Sequence, residues 1–179
     1  MINKKRLIII ALAVIPVAVS VLYILSYYKK SQPEIPTNPA SINTIIPGKT
    51  TEQEVLQNLG TPVASQGGIL QYKSTSPARN NEITIQNEKV GFVKEIVSYK
   101  DTINLKELNA QYGEANYLYG PDAINGYFLY YLPEKGIAYL ANPIVGTVLE
   151  IWHFPVTTFD NFKNTWAKDY TLTPTEHPF

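Results

Sequence analysis

The chain has 179 residues and no cysteine, which excludes disulfide cross-links, a thiolate nucleophile and an acyl anchor on a lipobox cysteine. Its 15 Lys+Arg equal its 15 Asp+Glu, but five of the basic residues lie at or before Lys30 and every acidic residue lies after it. The part after Lys30 therefore carries 10 basic and 15 acidic residues, a negative balance that argues against nucleic-acid binding.

Residues 7–28 are an apolar run without a charged residue, and basic residues flank the run on both sides. A helix that crosses a bilayer needs roughly 20 apolar residues, so the run predicts a transmembrane helix. The basic residues before it predict a cytoplasmic tail over 1–6 and an extracytoplasmic C-terminal domain, and hence a single-pass cell-membrane protein. The alternative is a signal peptide cleaved near Ala18-Val19-Ser20, which is disfavoured because residues 21–25 continue the apolar run.

Residues 29–44 carry Pro33, Pro36 and Pro39 among polar residues, which predicts an extended linker. The folded part is expected to consist of two units, residues 45–100 and 101–170, followed by a tail over 171–179.

The first unit is expected to begin with a short helix. Thr51 and Glu54 have the spacing of a capping box, in which each side chain accepts a hydrogen bond from the other residue's backbone. Gly60 and Pro62 should end the helix. Residues 69–74, 82–87 and 90–99 are rich in β-branched and aromatic side chains and predict three antiparallel strands.

The second unit repeats this order. Asn104 and Glu107 suit a second capping box, and Gly113 suits the end of the helix. Strands are predicted over 126–132, 136–141 and 146–154. The polar and apolar order of residues 95–99 returns in residues 150–154. The predicted fold class is therefore α+β, with two tandem units that each pack a short helix on a three-stranded antiparallel sheet.

A C-terminal amphipathic helix is predicted over 158–170, because Phe159, Phe162 and Trp166 recur at helical spacing. We expect it to close the core of the second unit. The alternative is a docking helix for a partner or a membrane.

The segment Pro47-Gly48-Lys49-Thr50-Thr51-Glu52-Gln53-Glu54-Val55-Leu56, followed by Leu59-Gly60-Thr61-Pro62, resembles the opening of the SmpA/OmlA (BamE-like) envelope proteins. The unit in tandem is also similar to the beta-lactamase inhibitor proteins. The resemblance implies a helix on a three-stranded sheet, and a protein-binding or assembly-support role in the cell envelope. It implies no catalysis and no specific contact residue, since the matched positions are cap and turn residues.

Candidate catalytic groups are few. The chain has two histidines, His153 and His177, and no helical His/Asp/Glu spacing typical of metal sites, so we expect no enzyme activity, no metal and no cofactor. Glu95 and Glu150 occupy equivalent places in the repeat. If they converged, they would suit a carbohydrate- or peptidoglycan-acting module, which is the alternative function.

Tyrosine is the stronger signal, with 13 in the chain. Large rings with a polar end are enriched at protein interfaces. We expect the uncovered face of the sheet to bind a partner, with Tyr127, Tyr131, Trp152, Glu95 and Glu150 as candidate contacts. The expected partners are another envelope protein and, through residues 7–28, the membrane. Strand periodicity does not decide which face the helices leave open.

Overall fold

The structure is a computed structural model that describes residues 42–98 and 103–174. Three α-helices and eight strands make up these residues, together with short 3-10 turns at Ile42–Thr44, Pro121–Asn125 and Pro133–Lys135. In chain order they are α1 (Glu52–Leu59), β1 (Ala64–Gln66), β2 (Ile69–Lys73), β3 (Asn80–Gln86), β4 (Lys89–Ile96), α2 (Leu105–Tyr112), β5 (Asn116–Leu118), β6 (Phe128–Leu132), β7 (Ile137–Ala141), β8 (Val148–His153) and α3 (Phe159–Thr165).

The strands form one eight-stranded antiparallel sheet in the order β1-β2-β3-β4-β8-β7-β6-β5. Each half contributes four strands, and the last strand of one half pairs with the last strand of the other. This central pairing of β4 with β8, which we call the seam, runs from Val93 opposite His153 to Ile96 opposite Glu150. The sheet hydrogen bonds are therefore continuous between the two halves.

Helices α1 and α2 begin where their capping boxes predict. Thr51 Oγ1 accepts a hydrogen bond from the Glu54 N–H at 3.3 Å, and the Thr51 N–H donates to Glu54 Oε2 at 2.8 Å. Asn104 and Glu107 make the same reciprocal pair at 3.0 and 3.3 Å. These bonds satisfy backbone donors that have no partner within the first helical turn.

Helices α1 and α2 cover the same face of the sheet. Val93 of β4 packs in the core beneath α1, and Val97, four residues further along, packs in the core beneath α2. Because residues an even number apart on a strand point to the same face, both helices lie on one side, which we call the α1/α2 face. The buried helix residues on this face are Val55, Leu59, Leu105 and Leu108.

Helix α3 covers the opposite face of the second half, which we call the α3 face. Phe162 is completely buried and its ring lies 4.9 Å from that of Phe154. Trp152, Leu129 and Leu140 belong to the same core cluster. The predicted C-terminal amphipathic helix is thus shorter than expected and supplies the second layer for one half of the sheet only.

The predicted fold class is wrong in its sheet. The two units have four strands each instead of three, and they form a single sheet instead of two. The missed strands β1 and β5 have three residues each, and β1 is exposed along its whole length, so neither has a hydrophobic alternation that a sequence pattern could detect. The other six strands overlap the predicted segments.

The predicted membrane placement is also corrected. No helix within residues 42–98 and 103–174 has the length and apolar character needed to cross a bilayer. This finding contradicts the predicted transmembrane helix, and with it the single-pass topology and the cell-membrane localisation. The segment 7–28 on which they rested lies outside the described residues, as do the linker up to residue 41 and the tail after residue 174.

Candidate functional site

An open groove of about 440 Å³ lies on the α1/α2 face, above the seam where the two halves of the sheet meet. Glu95 of β4 and His153 of β8 line its floor, together with Ile137 and Ile151. We call this feature the seam groove. It is composed of residues from both halves of the fold.

Strand register explains why these floor residues share a face. Glu95 lies directly opposite Ile151 across the seam, so the two side chains project to the same side. His153 is two residues beyond Ile151 and points the same way. Ile137 is the register partner of His153 on the next strand, β7.

The two walls of the groove come from different halves. Ile42 and Ile45 form one wall, and the 3-10 turn holds them together through a 3.0 Å hydrogen bond from the Ile45 N–H to the Ile42 carbonyl. Leu108, Gln111 and Tyr112 of α2 form the other wall. These three residues lie on one face of the helix because they are three and four positions apart.

The Glu95 carboxylate is the main charged group on the floor. Its side chain is 26% exposed, and its Oε2 lies 3.9 Å from His153 Nε2. That distance is too long for a hydrogen bond. Among the residues that the structure describes, no donor makes a hydrogen bond to Glu95. The seam groove therefore contains a half-buried carboxylate that accepts no hydrogen bond from residues 42–98 and 103–174.

Glu150 lies on the α3 face and is buried, with 6% of its side chain exposed. It accepts a hydrogen bond from Trp152 Nε1 at 2.7 Å and pairs with the Arg79 guanidinium. Arg79 belongs to the loop between β2 and β3, so this ion pair joins the two halves. Burial raises the pKa of the neighbouring Tyr170, and the Glu150 charge contributes to that rise. Glu150 thus has structural partners for its charge.

Strand register places Glu95 and Glu150 on opposite faces despite their equivalent places in the repeat. Glu95 pairs with Ile151, the residue directly after Glu150, and successive residues of a strand point to opposite faces. Each half also has a β-bulge, with Gly91 as the extra residue of β4 and Leu149 as the extra residue of β8. The two carboxylates therefore cannot flank one substrate bond, which argues against the glycosidase alternative.

The predicted aromatic contacts lie beneath or beside α3. The Tyr131 ring is 5.0 Å from that of Phe159, and Tyr127 packs against the same cluster. Trp152 is only 5% exposed. These residues were expected on an uncovered face of the sheet. Helix α3 covers the face on which they lie, so they have little surface to offer a partner.

Another tyrosine cluster is more exposed. Tyr117 on the edge strand β5 is 44% exposed, and its ring lies 5.5 Å from that of Tyr119. A side-chain hydrogen bond with Tyr117 raises the pKa of Tyr119. These rings pack on Phe128, so they stabilise the edge of the sheet.

Sequence reasoning missed the seam groove. In the sequence the acid closest to His153 is Glu150, three residues before it, whereas in the structure the acid next to His153 is Glu95 on the partner strand. The signal was present, since pairing the last strands of the two repeats would have brought residues 95 and 153 together. Ile42 was assigned to the linker, whereas it is buried and lines a wall.

Metal-binding potential is low in the described part of the chain. No group of three His, Cys, Asp or Glu side chains within residues 42–98 and 103–174 is close enough to hold a metal ion. Glu95 and His153 are a pair, and a structural or catalytic metal needs at least one further protein ligand.

Comparisons with known proteins do not assign this chain to a family. No family model matches the chain, and no curated protein matches it. A solved structure of a DUF4309 family protein (YjgB) from Bacillus subtilis subsp. subtilis str. 168 aligns over 60% of this chain and 80% of that chain, at 12% identity and a TM-score of 0.44. A similarity at that level carries no argument about function.

Proposed function

We propose that this chain is a non-catalytic protein-binding module and that its partner docks in the seam groove. The observation that carries the proposal is the groove itself, an open volume of about 440 Å³ at the centre of the sheet whose lining mixes apolar and polar residues, with the Glu95 carboxylate on its floor. In ligand pockets, apolar side chains supply contact area and placed polar groups supply specificity.

Exposed apolar side chains beside the groove favour a macromolecular partner. Ile103, which lines the groove, is 36% exposed, and Ile46, the neighbour of Ile45 in the chain, is 51% exposed. Apolar surface that extends past the mouth of a pocket would stay in contact with water if the ligand were small, whereas a protein partner would cover it. The resemblance of residues 47–62 to the SmpA/OmlA envelope proteins favours the same class of function.

A catalytic role has less support. Hydrolysis by paired carboxylates needs two acids on one face, and Glu95 and Glu150 point to opposite sides of the sheet. Glu150 is also bound by Arg79 and Trp152, and only 6% of its side chain is exposed to a substrate.

Site-specific photocrosslinking tests the proposal. A benzophenone amino acid at Gln111, an exposed residue of the groove wall, is expected to give a discrete adduct with one protein in cells that express the chain. The matched control places the same amino acid at Lys73, which is exposed on β2. The captured protein is then purified and titrated with the wild type and with Leu108→Glu.

The expected result is an adduct from position 111 alone, and binding in solution that Leu108→Glu weakens at least tenfold. Leu108 is 4% exposed, so circular dichroism and thermal melting must show that this variant folds. If it does not fold, Gln111→Glu replaces it. The proposal is wrong if positions 73 and 111 give the same adducts, if neither gives one, or if the folded variant binds as the wild type does.

A further inference from the structure

We infer that the seam groove selects a basic side chain of its partner, arginine above lysine, with the cation at Glu95 and the alkyl stem against the apolar residues that line the groove. This inference rests on the proposed function and specifies which chemistry the groove recognises.

The first step concerns the Glu95 carboxylate. Two carboxylate oxygens offer about four acceptor sites. Within the described residues, the His153 imidazole lies 3.9 Å from the Glu95 carboxylate, and no donor reaches hydrogen-bond distance. A half-buried carboxylate without donors loses hydration that a charged donor from a partner would replace. The floor is thus complementary to a cation.

The second step concerns the apolar surface around the carboxylate. Ile103, which lines the groove, is 36% exposed, and Ile137 and Ile151 form the apolar base of the groove with only 2% and 5% of their surface exposed. Arginine and lysine bury their methylene stems along apolar surface and keep the charged end at a polar group. Such a side chain matches the order of groups in the groove, with apolar residues beside a carboxylate.

The third step concerns charge. The described residues that line the groove include two acids, Glu95 and Glu107, and among them there is no lysine or arginine. Glu107 is exposed and its Oε2 is used by the capping box of α2. The field in the groove is therefore negative and opposes anionic ligands. A guanidinium group suits this site better than an ammonium group, because its planar donors match a carboxylate in a two-pronged contact.

The test titrates the purified ¹⁵N-labelled chain with n-butylguanidinium chloride at pH 7.5 and follows backbone amide signals by NMR. The shifts of Ile137, Ile151 and His153 should saturate, whereas amides of β2 should not move. Butylammonium should bind more weakly at the same site. Butan-1-ol should bind at least fivefold more weakly than butylguanidinium, and pentanoate should give no saturable shift.

Glu95→Gln should weaken butylguanidinium binding about tenfold, because the amide keeps the shape and loses the charge. Glu114→Gln is the matched control, since Glu114 is exposed and lies outside the groove lining, and it should bind as the wild type does. The NMR spectrum of each variant also shows whether the fold is intact.

The inference is overturned if butanol binds as tightly as butylguanidinium, if Glu95→Gln binds as the wild type does, or if no probe binds. Any of these results leaves protein binding at the groove intact as long as position 111 still captures one partner. If the crosslinking experiment fails but butylguanidinium still binds selectively, the protein-binding proposal is refuted and the cation site is retained.

Discussion

Replacing Arg79 with methionine should destabilise the fold through Glu150. Methionine keeps an unbranched side chain of similar reach, so the main loss is the guanidinium charge. Glu150 would then remain buried, with 6% of its side chain exposed and Trp152 Nε1 as its remaining donor among the described residues. A buried carboxylate without a cationic partner is costly because water cannot solvate it.

The expected loss of stability follows from the exposed fractions of the Arg79 and Glu150 side chains. Removing one partner of a fully buried ion pair costs about 3–5 kcal/mol. The Arg79 side chain is 48% exposed, so solvent already screens part of the pair. We therefore expect Arg79→Met to lower the free energy of unfolding by about 2 kcal/mol.

Urea denaturation at pH 7 and 25 °C, followed by tryptophan fluorescence, measures this loss. In the Glu150→Gln background there is no buried charge to leave unpaired, so Arg79→Met should cost less than about 0.5 kcal/mol there. Lys73→Met, at an exposed position of β2, is the control and should stay within about 0.5 kcal/mol of the wild type. If Arg79→Met lowers the free energy of unfolding equally in both backgrounds, or does not lower it in the wild-type background, the ion pair of Arg79 and Glu150 does not stabilise the fold.

Three further predictions concern the helices and the buried tyrosines. Phe162→Ala should cost about 3–5 kcal/mol in urea denaturation, because the ring is completely buried, and a loss below about 1 kcal/mol would show that α3 is not part of the core. Asn104→Ala removes the cap of α2 and should cost about 1 kcal/mol, whereas Asn104→Asp should restore most of the stability. Burial, followed by the charge of Tyr130, raises the pKa of Tyr139 to about 12. The neutral phenol is therefore favoured in the folded state, so this contribution to stability is complete below pH 10 and is lost as the pH rises towards 12. A plot of unfolding free energy against pH should fall in that interval, and Tyr139→Phe should reduce the slope.

Local signals in the sequence predicted the helices well. Thr51 with Glu54, and Asn104 with Glu107, fix the starts of α1 and α2 through bonds between residues three apart, so neighbouring residues alone determine them. The six longer strands could also be recognised from their β-branched and aromatic residues. The spacing of its aromatic residues also predicted the C-terminal helix. That spacing did not predict which face of the sheet the helix covers.

The arrangement of the sheet could not be predicted in the same way. Pairing of β4 with β8 joins residues nearly sixty positions apart, and no local pattern specifies it. The register of this pairing places Glu95 opposite Ile151 and not opposite Glu150, so the two acids that match in the sequence repeat point to opposite faces. The seam groove depends on both features, together with Ile42 from the segment assigned to the linker and Ile45 from the start of the first unit. Of the candidate contacts, Glu95 lines the groove, whereas Tyr131, Trp152 and Glu150 lie on the α3 face.

The symmetric strand order carries a consequence for the origin of the fold. A chain that contained only one helix-and-four-strand half would expose its last strand as an unpaired edge, and antiparallel pairing of two such edges is compatible with a twofold axis. An ancestral homodimer could therefore have had the same eight-stranded sheet, and gene duplication with fusion would have made its interface intramolecular. Fusion also frees the two copies to diverge: the repeat matches Glu95 with Glu150 and His153 with Ser98, so the second copy has a histidine at the seam where the first copy has a serine.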